Sequence, residues 1–435
     1  MPPSLTITPK SALFDQPVTI RAAGLPPDQP IGLESAIEFP WTPGVSWKAS
    51  ATYQTDAHGE LTLATPAPAA GGDPELDPMR LFWSLRPVTR TAPPAAVADL
   101  DTGQPLRMTF TLTGGKQNLA AETIERRMQI PEIQAISYAA DGVRGKFFCH
   151  SDGLPRPGIL FLSGAGSLAP ILPISALLAS YGYSVLALAY FGGEGMPPAL
   201  QEIPIERFKE AIHWLSRQPA VLKDRIGVMG GSKGGELALL VSSLVSQVKA
   251  VAAIVPSSII FLGIGSSYNP KKAKSSWSYQ GHALPFATAS LKALILEVLT
   301  QSVRGRSFQF SPAYQAVLQT PGLYQQAVIP VESIHGPILL VSGTDDGYWP
   351  SPALCEIAVQ RLKENSFSHP VRHLRYEAAG HSFYAPYLLP TAAVENRVLP
   401  GVRFSSGGTP EINSRAQVDS WQEILSFFKS SLIEI

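Results

Sequence analysis

Residues 225–240 read RIGVMGGSKGGELALL, and this stretch constrains the fold more than any other part of the chain. At its centre, Ser232 is flanked by Gly230 and Gly234 in a Gly-x-Ser-x-Gly pattern. Apolar runs precede and follow the pattern, which predicts a buried strand, a tight turn and a helix. A serine on such a turn takes a strained backbone conformation, and the two glycines let strand and helix pass without Cβ clashes. We therefore expect Ser232 to be a nucleophile held at the end of a strand.

The helix predicted to start at Ser232 would direct its first backbone N–H groups at the reacting atom, and the N–H of Lys233 is one of them. Glu236 in the first turn suits the positive end of the helix dipole, whereas the cation of Lys233 does not. We expect the Lys233 side chain to extend into solvent. The alternative is that it meets an anionic substrate.

The composition excludes several classes of protein. A formal net charge of zero offers no electrostatic footprint for nucleic acid, and no basic run indicates a membrane surface. The two cysteines, Cys149 and Cys355, lie far apart, which fits a reducing compartment, and both are expected to be buried or incidental. No apolar run reaches the roughly 18 residues of a membrane span, and no signal peptide or peroxisomal tripeptide is evident. Cytoplasm is the expected location.

Residues 1–126 are predicted to form a separate all-β domain. Short alternating runs are divided there by turn residues and proline-rich joints. Strands at this spacing favour an antiparallel, immunoglobulin-like sandwich. No titratable cluster accompanies them, so the expected role of this domain is structural. The predicted strands are residues 5–7, 18–21, 31–36, 47–53, 61–63 and 108–112.

Residues 127–435 are predicted to form an α/β domain, entered through a bridging segment at 124–148. Buried apolar strands alternate with helices, which indicates a mostly parallel sheet with helices on both faces and active residues at the strands' carboxyl ends. Residues 257–330 break the alternation and are interpreted as a cap insertion with a helix at 288–301. The predicted strands, beside the one before Ser232, are 158–163, 184–189, 248–255, 337–342 and 371–376, and the predicted helices are 171–180, 205–218, 351–363 and 414–433.

Serine is a weak nucleophile at neutral pH, so it needs a general base, and the base needs a partner that sets its tautomer. The chain supplies candidates in the order Ser, Asp, His that is typical of α/β-hydrolases. Asp345 and Asp346 follow one predicted strand and His381 follows the next, which places them on the same sheet edge as Ser232. From the residues alone, the two aspartates are nearly equivalent. The other histidines do not follow the acid at a strand end.

A second oxyanion donor is expected from the loop after the strand at 158–163. The run Ser163-Gly164-Ala165-Gly166 consists of small residues, and we favour the N–H of Ala165 together with that of Lys233. No His or Cys pair has the spacing of metal ligands, so no metal is expected, and no cofactor is expected either. These groups alone indicate acyl transfer and leave ester, thioester and amide hydrolysis open.

Short segments in both predicted domains form a set that is far more specific than the serine pattern alone. They are residues 14–20 (FDQPVTI), 77–79 (DPM), 187–190 (ALAY), 231–237 (GSKGGEL), 329–332 (IPVE), 345–346 with Trp349, 380–381 and 416–421 (AQVDSW). In this order they resemble the family that joins type I acyl-CoA thioesterases with bile acid-CoA:amino acid N-acyltransferases. The resemblance covers nearly the whole chain. The run at 164–167, Gly347-Tyr348 and the cap depart from the family pattern.

The resemblance implies a fatty acyl-CoA substrate, a covalent acyl-enzyme and a triad of Ser232, Asp346 and His381, which selects Asp346 over Asp345. Acyltransferase members use cysteine as nucleophile. Ser232 favours water as acceptor, because a serine acyl-enzyme is an ester suited to hydrolysis. Three other functions stay open: an acyl-CoA:amino acid N-acyltransferase, a carboxylesterase or dienelactone-type hydrolase acting on oxoesters, and a non-catalytic binding protein. Acyl length and oligomeric state are not predicted.

Overall fold

The computed structural model describes residues 2–64, 76–88, 100–165, 168–266, 271–383, 385–392, 395–400 and 402–434. The chain folds into two compact units. Unit 1 comprises Met1–Pro131, Tyr384–Ala393 and Pro410–Asp419, and unit 2 comprises Glu132–Phe383, Val394–Thr409 and Ser420–Ile435. Two segments from late in the chain thus belong to unit 1. The predicted division at residue 126 does not include them.

Unit 1 is built mainly of β-strands. Its elements are β1 (Ser4–Thr8), β2 (Ser11–Leu13), β3 (Thr19–Ala23), β4 (Pro30–Glu38), β5 (Ser46–Gln54), β6 (Leu61–Ala64), α1 (Arg80–Trp83), β7 (Arg86–Pro87), β8 (Leu106–Gly114) and β9 (Gln117–Arg127). They form a three-stranded sheet, β1-β3-β6, and a six-stranded sheet, β2-β9-β8-β4-β5-β7. Alternate side chains are buried, as in β4, where Ile31, Leu33 and Ile37 are core residues. This is the β-rich domain that the alternating pattern predicted.

Unit 2 alternates strands and helices. Its strands are β10 (Ile133–Ala140), β11 (Val143–His150), β12 (Arg156–Leu162), β13 (Ser184–Ala189), β14 (Ile203–Pro204), β15 (Val221–Gly231), β16 (Val248–Ile254), β17 (Trp277–Tyr279), β18 (His282–Ala283), β19 (Ile338–Gly343), β20 (Val371–Tyr376), β21 (Glu395–Leu399) and β22 (Val402–Ser405). Its helices are α2 (Leu172–Ser180), α3 (Glu206–Ser216), α4 (Lys233–Leu244), α5 (Leu291–Val303), α6 (Ser311–Leu318), α7 (Ser351–Glu364) and the greater part of α8 (Pro410–Leu432).

An eight-stranded sheet runs through unit 2 in the order β10-β11-β13-β12-β15-β16-β19-β20. The six strands from β13 to β20 are parallel, whereas β10 and β11 pair antiparallel at one edge. Every residue of β13 is buried, as expected for a strand covered by helices on both faces. The predicted α/β-hydrolase architecture is confirmed. Because β15, β19 and β20 are parallel, their carboxyl ends lie at one edge of the sheet.

Residues 124–148, interpreted from the sequence as a bridge, are mostly strand. β9 continues to Arg127, and β10 and β11 belong to the large sheet of unit 2. Most side chains of β10 are exposed because it is an edge strand. It therefore lacks the buried apolar run by which the other strands were recognised.

The insertion predicted at about 257–330 follows β16, and its described residues include β17, β18, α5 and α6. The helix predicted at 288–301 begins instead at Leu291. Ser290 sets this start, because its side-chain oxygen accepts a hydrogen bond from the N–H of Ala293 at 3.3 Å. The hairpin of β21 and β22 was not predicted. Within the described residues, no helix combines the length and hydropathy needed to cross a membrane.

Candidate active site

Ser232 lies on the turn between β15 and α4. Its backbone adopts φ 58° and ψ −122°, a conformation that costs a non-glycine residue about 1–3 kcal/mol. Its N–H donates to the carbonyl of Ile254 at 2.8 Å, and its own carbonyl accepts from Gly235 and Glu236 at 2.9 and 3.0 Å. In the described structure its side chain makes no capping hydrogen bond to α4. The hydroxyl is therefore not committed to holding the helix.

Gly230 and Gly234 are required by the close approach of the backbone segments. A Cβ on Gly230 would lie 2.1 Å from the carbonyl oxygen of Gly234, and a Cβ on Gly234 would lie 2.4 Å from that of Leu162. Gly231 is different, because a Cβ there meets nothing within 4 Å. Side chains at Gly230 and Gly234 would thus clash with the backbone, as the sequence pattern predicted.

The loop after β12, where the second oxyanion donor was expected, lies against the serine turn. A Cβ on Gly164 would come 3.0 Å from the carbonyl oxygen of Gly231 and 3.5 Å from the Cβ of Ser232. Ala165 follows directly and is exposed. Residues 166–167 of the same run lie outside the described residues. The backbone of this loop therefore lies so close to the Ser232 turn that a side chain larger than hydrogen does not fit at Gly164 without a shift.

Tyr190 holds that loop in place. Its hydroxyl donates to the carbonyls of Ser163 and Gly164, at 2.7 and 3.3 Å. Tyr190 is fully buried, and burial raises the pKa of its phenol well above the usual value. The phenol therefore stays protonated and remains a donor at physiological pH. In the sequence, Tyr190 belongs to the segment 187–190, and no role was predicted for it.

His381 and Asp346 meet at the same sheet edge. Nδ1 of His381 lies 2.8 and 2.9 Å from the two carboxylate oxygens of Asp346. Asp346 is 4% exposed, and its Oδ1 also accepts from the N–H of Tyr348 at 3.0 Å. Asp345 is exposed, and its Oδ2 accepts from the N–H of Gly408 at 2.7 Å. The carboxylate beside the imidazole is therefore that of Asp346.

Neighbouring parallel strands carry the three polar residues to one edge. Ser232 follows β15, Asp346 follows β19 and His381 follows β20. In the sheet, β19 and β20 are neighbours, and β16 lies between β15 and β19. Trp349 spans the edge, since its indole N–H donates to the carbonyl of Val255 at 2.9 Å and its ring centroid lies 6.0 Å from that of His381. A strained serine, an imidazole and a buried carboxylate are the parts of an acyl-transfer site.

Aromatic side chains flank His381. The ring centroid of Tyr348 lies 4.5 Å from that of His381 and 4.7 Å from that of Phe404, and Phe310 lies 5.0 Å from Phe404. Tyr348 is 40% exposed. We call Tyr348, Phe310 and Phe404 the aromatic wall. From the sequence, Tyr348 was noted only as a departure from the family pattern.

The side chain of Lys233 does not extend into solvent, so that prediction was wrong. Lys233 is 4% exposed. Its Nζ donates to both carboxylate oxygens of Glu236 at 3.0 Å, to Ser276 Oγ at 2.9 Å and to the carbonyl of Phe261 at 3.3 Å. Ser276 and Phe261 belong to the insertion, and their approach to the serine turn could not be read from local sequence.

Glu236, the partner of Lys233, is fully buried and also accepts from the indole N–H of Trp277 at 2.8 Å. Burial is the strongest influence on both ions. It raises the pKa of Glu236 and lowers the pKa of Lys233, and their mutual attraction opposes each shift. A buried ion pair with these additional partners connects the first turn of α4 to the insertion.

Metal binding and thiol chemistry have no support among the residues that the structure describes. In that part of the chain, no group of three His, Cys, Asp or Glu side chains could hold a metal ion. Cys149 and Cys355 are free and buried. Burial raises the pKa of the Cys355 thiol well above its usual value, so that thiol stays protonated.

Two family models match the chain. The model described as "Acyl-CoA thioester hydrolase/BAAT N-terminal region" matches residues 15–139, and the model described as "BAAT / Acyl-CoA thioester hydrolase C terminal" matches residues 203–434. The second match alone covers more than half of the 435 residues.

Individual relatives match along almost the whole chain. Acyl-coenzyme A thioesterase 2, mitochondrial, of Mus musculus is 30% identical over 437 residues, which cover 99% of this chain and 89% of that protein. Acyl-coenzyme A thioesterase 1 of Rattus norvegicus is 30% identical, with 99% and 97% covered. Peroxisomal succinyl-coenzyme A thioesterase of Mus musculus is 29% identical, with 99% and 97% covered. The resemblance found in the sequence is confirmed, and the chain belongs to the acyl-CoA thioester hydrolase/BAAT family.

Proposed function

We propose that this chain is an acyl-CoA thioesterase that hydrolyses fatty acyl-CoA to free fatty acid and CoA, with Ser232 as nucleophile, His381 as general base and Asp346 as its partner. The observation that carries the proposal is the 2.8 Å contact between His381 Nδ1 and buried Asp346, on the edge that also holds the strained Ser232 turn. The names of the relatives support a coenzyme A thioester as substrate.

Acylation begins when Ser232 Oγ attacks the carbonyl carbon of the thioester. His381 takes the hydroxyl proton at Nε2, because Nδ1 faces Asp346, and the carboxylate stabilises the imidazolium. The tetrahedral intermediate then collapses and the C–S bond breaks. The proton on His381 passes to the sulfur, so CoA leaves as a thiol and an ester remains on Ser232.

The oxyanion of each tetrahedral intermediate is held by the backbone N–H groups of Lys233 and Ala165. The positive end of α4 and the close packing of Gly164 against Ser232 support this assignment. Loss of one such donor typically lowers kcat about 10²–10³-fold.

Deacylation uses His381 a second time. It removes a proton from water, the hydroxide attacks the acyl ester, and the fatty acid leaves as Ser232 recovers its proton. Water is the acceptor in this proposal because an oxygen ester is less reactive toward an amine than the thioester that a cysteine nucleophile would form.

The proposal extends to organisation and location. Residues 1–126 form an N-terminal β-sandwich domain and residues 127–435 the catalytic domain, with a cap insertion at about 257–330. A cytoplasmic location is supported by the two free, buried cysteines. Cell fractionation separates this location from the mitochondrial and peroxisomal compartments that appear in the names of relatives.

The test is release of CoA thiol from acyl-CoAs of increasing chain length, by wild type and Ser232→Ala, with and without glycine or taurine. We expect release without an amine, and a loss of several orders of magnitude in Ser232→Ala. Near-wild-type turnover by that variant would rule out the mechanism. An N-acyl amino acid as main product would identify an acyltransferase, and activity confined to matched oxoesters would identify an esterase. Ligand binding without any acyl-enzyme would identify a binding protein.

A further inference from the structure

Helix α5 presents large aliphatic side chains to solvent. Leu291, Ile295, Leu296, Leu299 and Val303 are between 45% and 89% exposed. At about 100° per residue they fall within an arc of about 140° of the helix surface. No residue of α5 is buried. We call this arc the apolar face of α5.

A surface helix that packs on a core buries its apolar side and exposes a polar side, whereas α5 has apolar side chains on its exposed side as well. The partly shielded residues of α5 are half apolar and half polar, and the aliphatic side chains of the apolar face are more exposed than any of them: Ala293, Leu294, Glu297, Val298, Thr300 and Gln301. Contiguous exposed apolar surface of this kind marks a binding site for a protein or a membrane.

Basic residues border the apolar face at both ends. Lys292 lies in the first turn of α5, and Arg304 and Arg306 follow its last turn. All three are exposed. Glu297 is the one acidic residue of the helix, and it is partly shielded. The surface therefore combines apolar side chains with a positive border, which complements an anionic apolar partner.

Helix α5 lies next to a strand whose aromatic side chain leads to the candidate active site. β22 lies beside α5, and its Phe404 belongs to the aromatic wall, in which Tyr348 contacts His381. The hairpin that contains β22 also exposes Val398 and Leu399, at 54% and 62%. Within unit 2, packed rings thus link β22, the neighbour of α5, to the imidazole.

We propose that the apolar face of α5 docks on an anionic lipid bilayer, with its aliphatic side chains in the acyl region and Lys292, Arg304 and Arg306 at the headgroups. Aliphatic side chains flanked by Lys and Arg are the residue types that interfacial helices present to an anionic membrane surface. It lacks the Trp, Tyr and Arg centre that dominates binding energy at protein interfaces. The role of docking rests on the proposed function. A long-chain acyl thioester is an amphiphile, and docking would let it pass from the bilayer along the aromatic wall.

The test is co-flotation of the full-length protein with vesicles of phosphatidylcholine alone or mixed with phosphatidylserine. The disrupting variant is Leu296→Glu/Leu299→Glu. Leu154→Glu is the matched control, because Leu154 is 61% exposed, close to the 64% and 60% of the other two leucines, but lies between β11 and β12. All three side chains are exposed, so the substitutions open no core cavity, and thermal unfolding verifies this.

We expect wild type and Leu154→Glu to float with the mixed vesicles and Leu296→Glu/Leu299→Glu to lose at least tenfold in binding. Arg304→Gln/Arg306→Gln should bind the mixed vesicles about 25-fold more weakly, about fivefold for each basic residue.

Absence of wild-type flotation, or an equal loss in Leu154→Glu, would overturn the proposal. So would a wild-type dimer that Leu296→Glu/Leu299→Glu converts to monomer without any vesicle binding, since a second copy would then be the occupant. Thiol release from a short, soluble acyl-CoA is measured on wild type in parallel, so failure of the proposed activity is distinguished from failure of docking.

Discussion

Nζ of Lys233 lies 3.0 Å from each carboxylate oxygen of Glu236, and neither side chain reaches solvent to a significant extent. The same ions bind Ser276 and Trp277 of the insertion. Because the proposed oxyanion donor is the N–H of Lys233 itself, the side-chain network and the position of that donor are coupled.

The first prediction concerns the cost of breaking this pair. Glu236→Leu should lower the free energy of unfolding by about 3–5 kcal/mol, because it leaves the ammonium of Lys233 buried and unpaired. Adding Lys233→Met removes that charge, so the double variant should recover part of the loss. Glu210→Leu, on the exposed side of α3, is the control and should change stability by less than about 0.5 kcal/mol. Chemical denaturation measures all three.

A loss of only about 0.3–1 kcal/mol in Glu236→Leu would contradict that prediction. It would mean that Glu236 acts merely on the helix dipole, as its position in the sequence first indicated.

The second prediction concerns the glycines of the serine turn. Gly230→Ala and Gly234→Ala force a Cβ to within 2.1 and 2.4 Å of a carbonyl oxygen, so each should destabilise by about 1–3 kcal/mol or more and displace Ser232. Gly231→Ala is the matched control, since its Cβ meets nothing within 4 Å. Thermal unfolding and thiol release are measured together. Equal behaviour of the three variants would show that the turn relaxes easily.

The third prediction separates the adjacent aspartates. Asp346→Asn should lower kcat about 10⁴-fold, because an amide cannot hold His381 in the tautomer that accepts a proton at Nε2. Asp345→Asn, which changes an exposed side chain bonded to the Gly408 N–H, should retain most activity. Steady-state kinetics on one acyl-CoA measure both. A larger loss in Asp345→Asn than in Asp346→Asn would mean that Asp345, and not Asp346, is the partner of His381.

The fourth prediction concerns the aromatic wall. Tyr348→Ala should reduce kcat/KM for long-chain acyl-CoA more than for short-chain acyl-CoA, because each methylene that loses its apolar contact forfeits up to about 0.8 kcal/mol. Tyr181→Ala is the control, as Tyr181 is 37% exposed at the end of α2. A uniform loss at all chain lengths would indicate that Tyr348 acts on His381 rather than on the acyl chain.

Local patterns were sufficient for much of unit 2. The buried strands β13 and β19 and the turn at Ser232 have strong signals, because apolar runs and glycines are typical of buried strands and tight turns. β10 was missed since an edge strand with exposed side chains has no such run. Two further features were not predicted: the hairpin of β21 and β22, and the return of two late segments to unit 1. Local sequence does not indicate which distant part of the chain a segment packs against.

For the candidate site, the sequence by itself determined that Ser232 lies on a strained turn and that Asp345, Asp346 and His381 follow strands sharing its edge. These are consequences of local pattern and parallel topology. The family resemblance favoured Asp346 over Asp345, but only the tertiary structure showed its contact with His381, the inward turn of Lys233 to Glu236, and the exposed aliphatic side chains of α5. Each depends on which distant segments supply acceptors or cover a surface, and a spacing pattern along the chain carries no information about those neighbours.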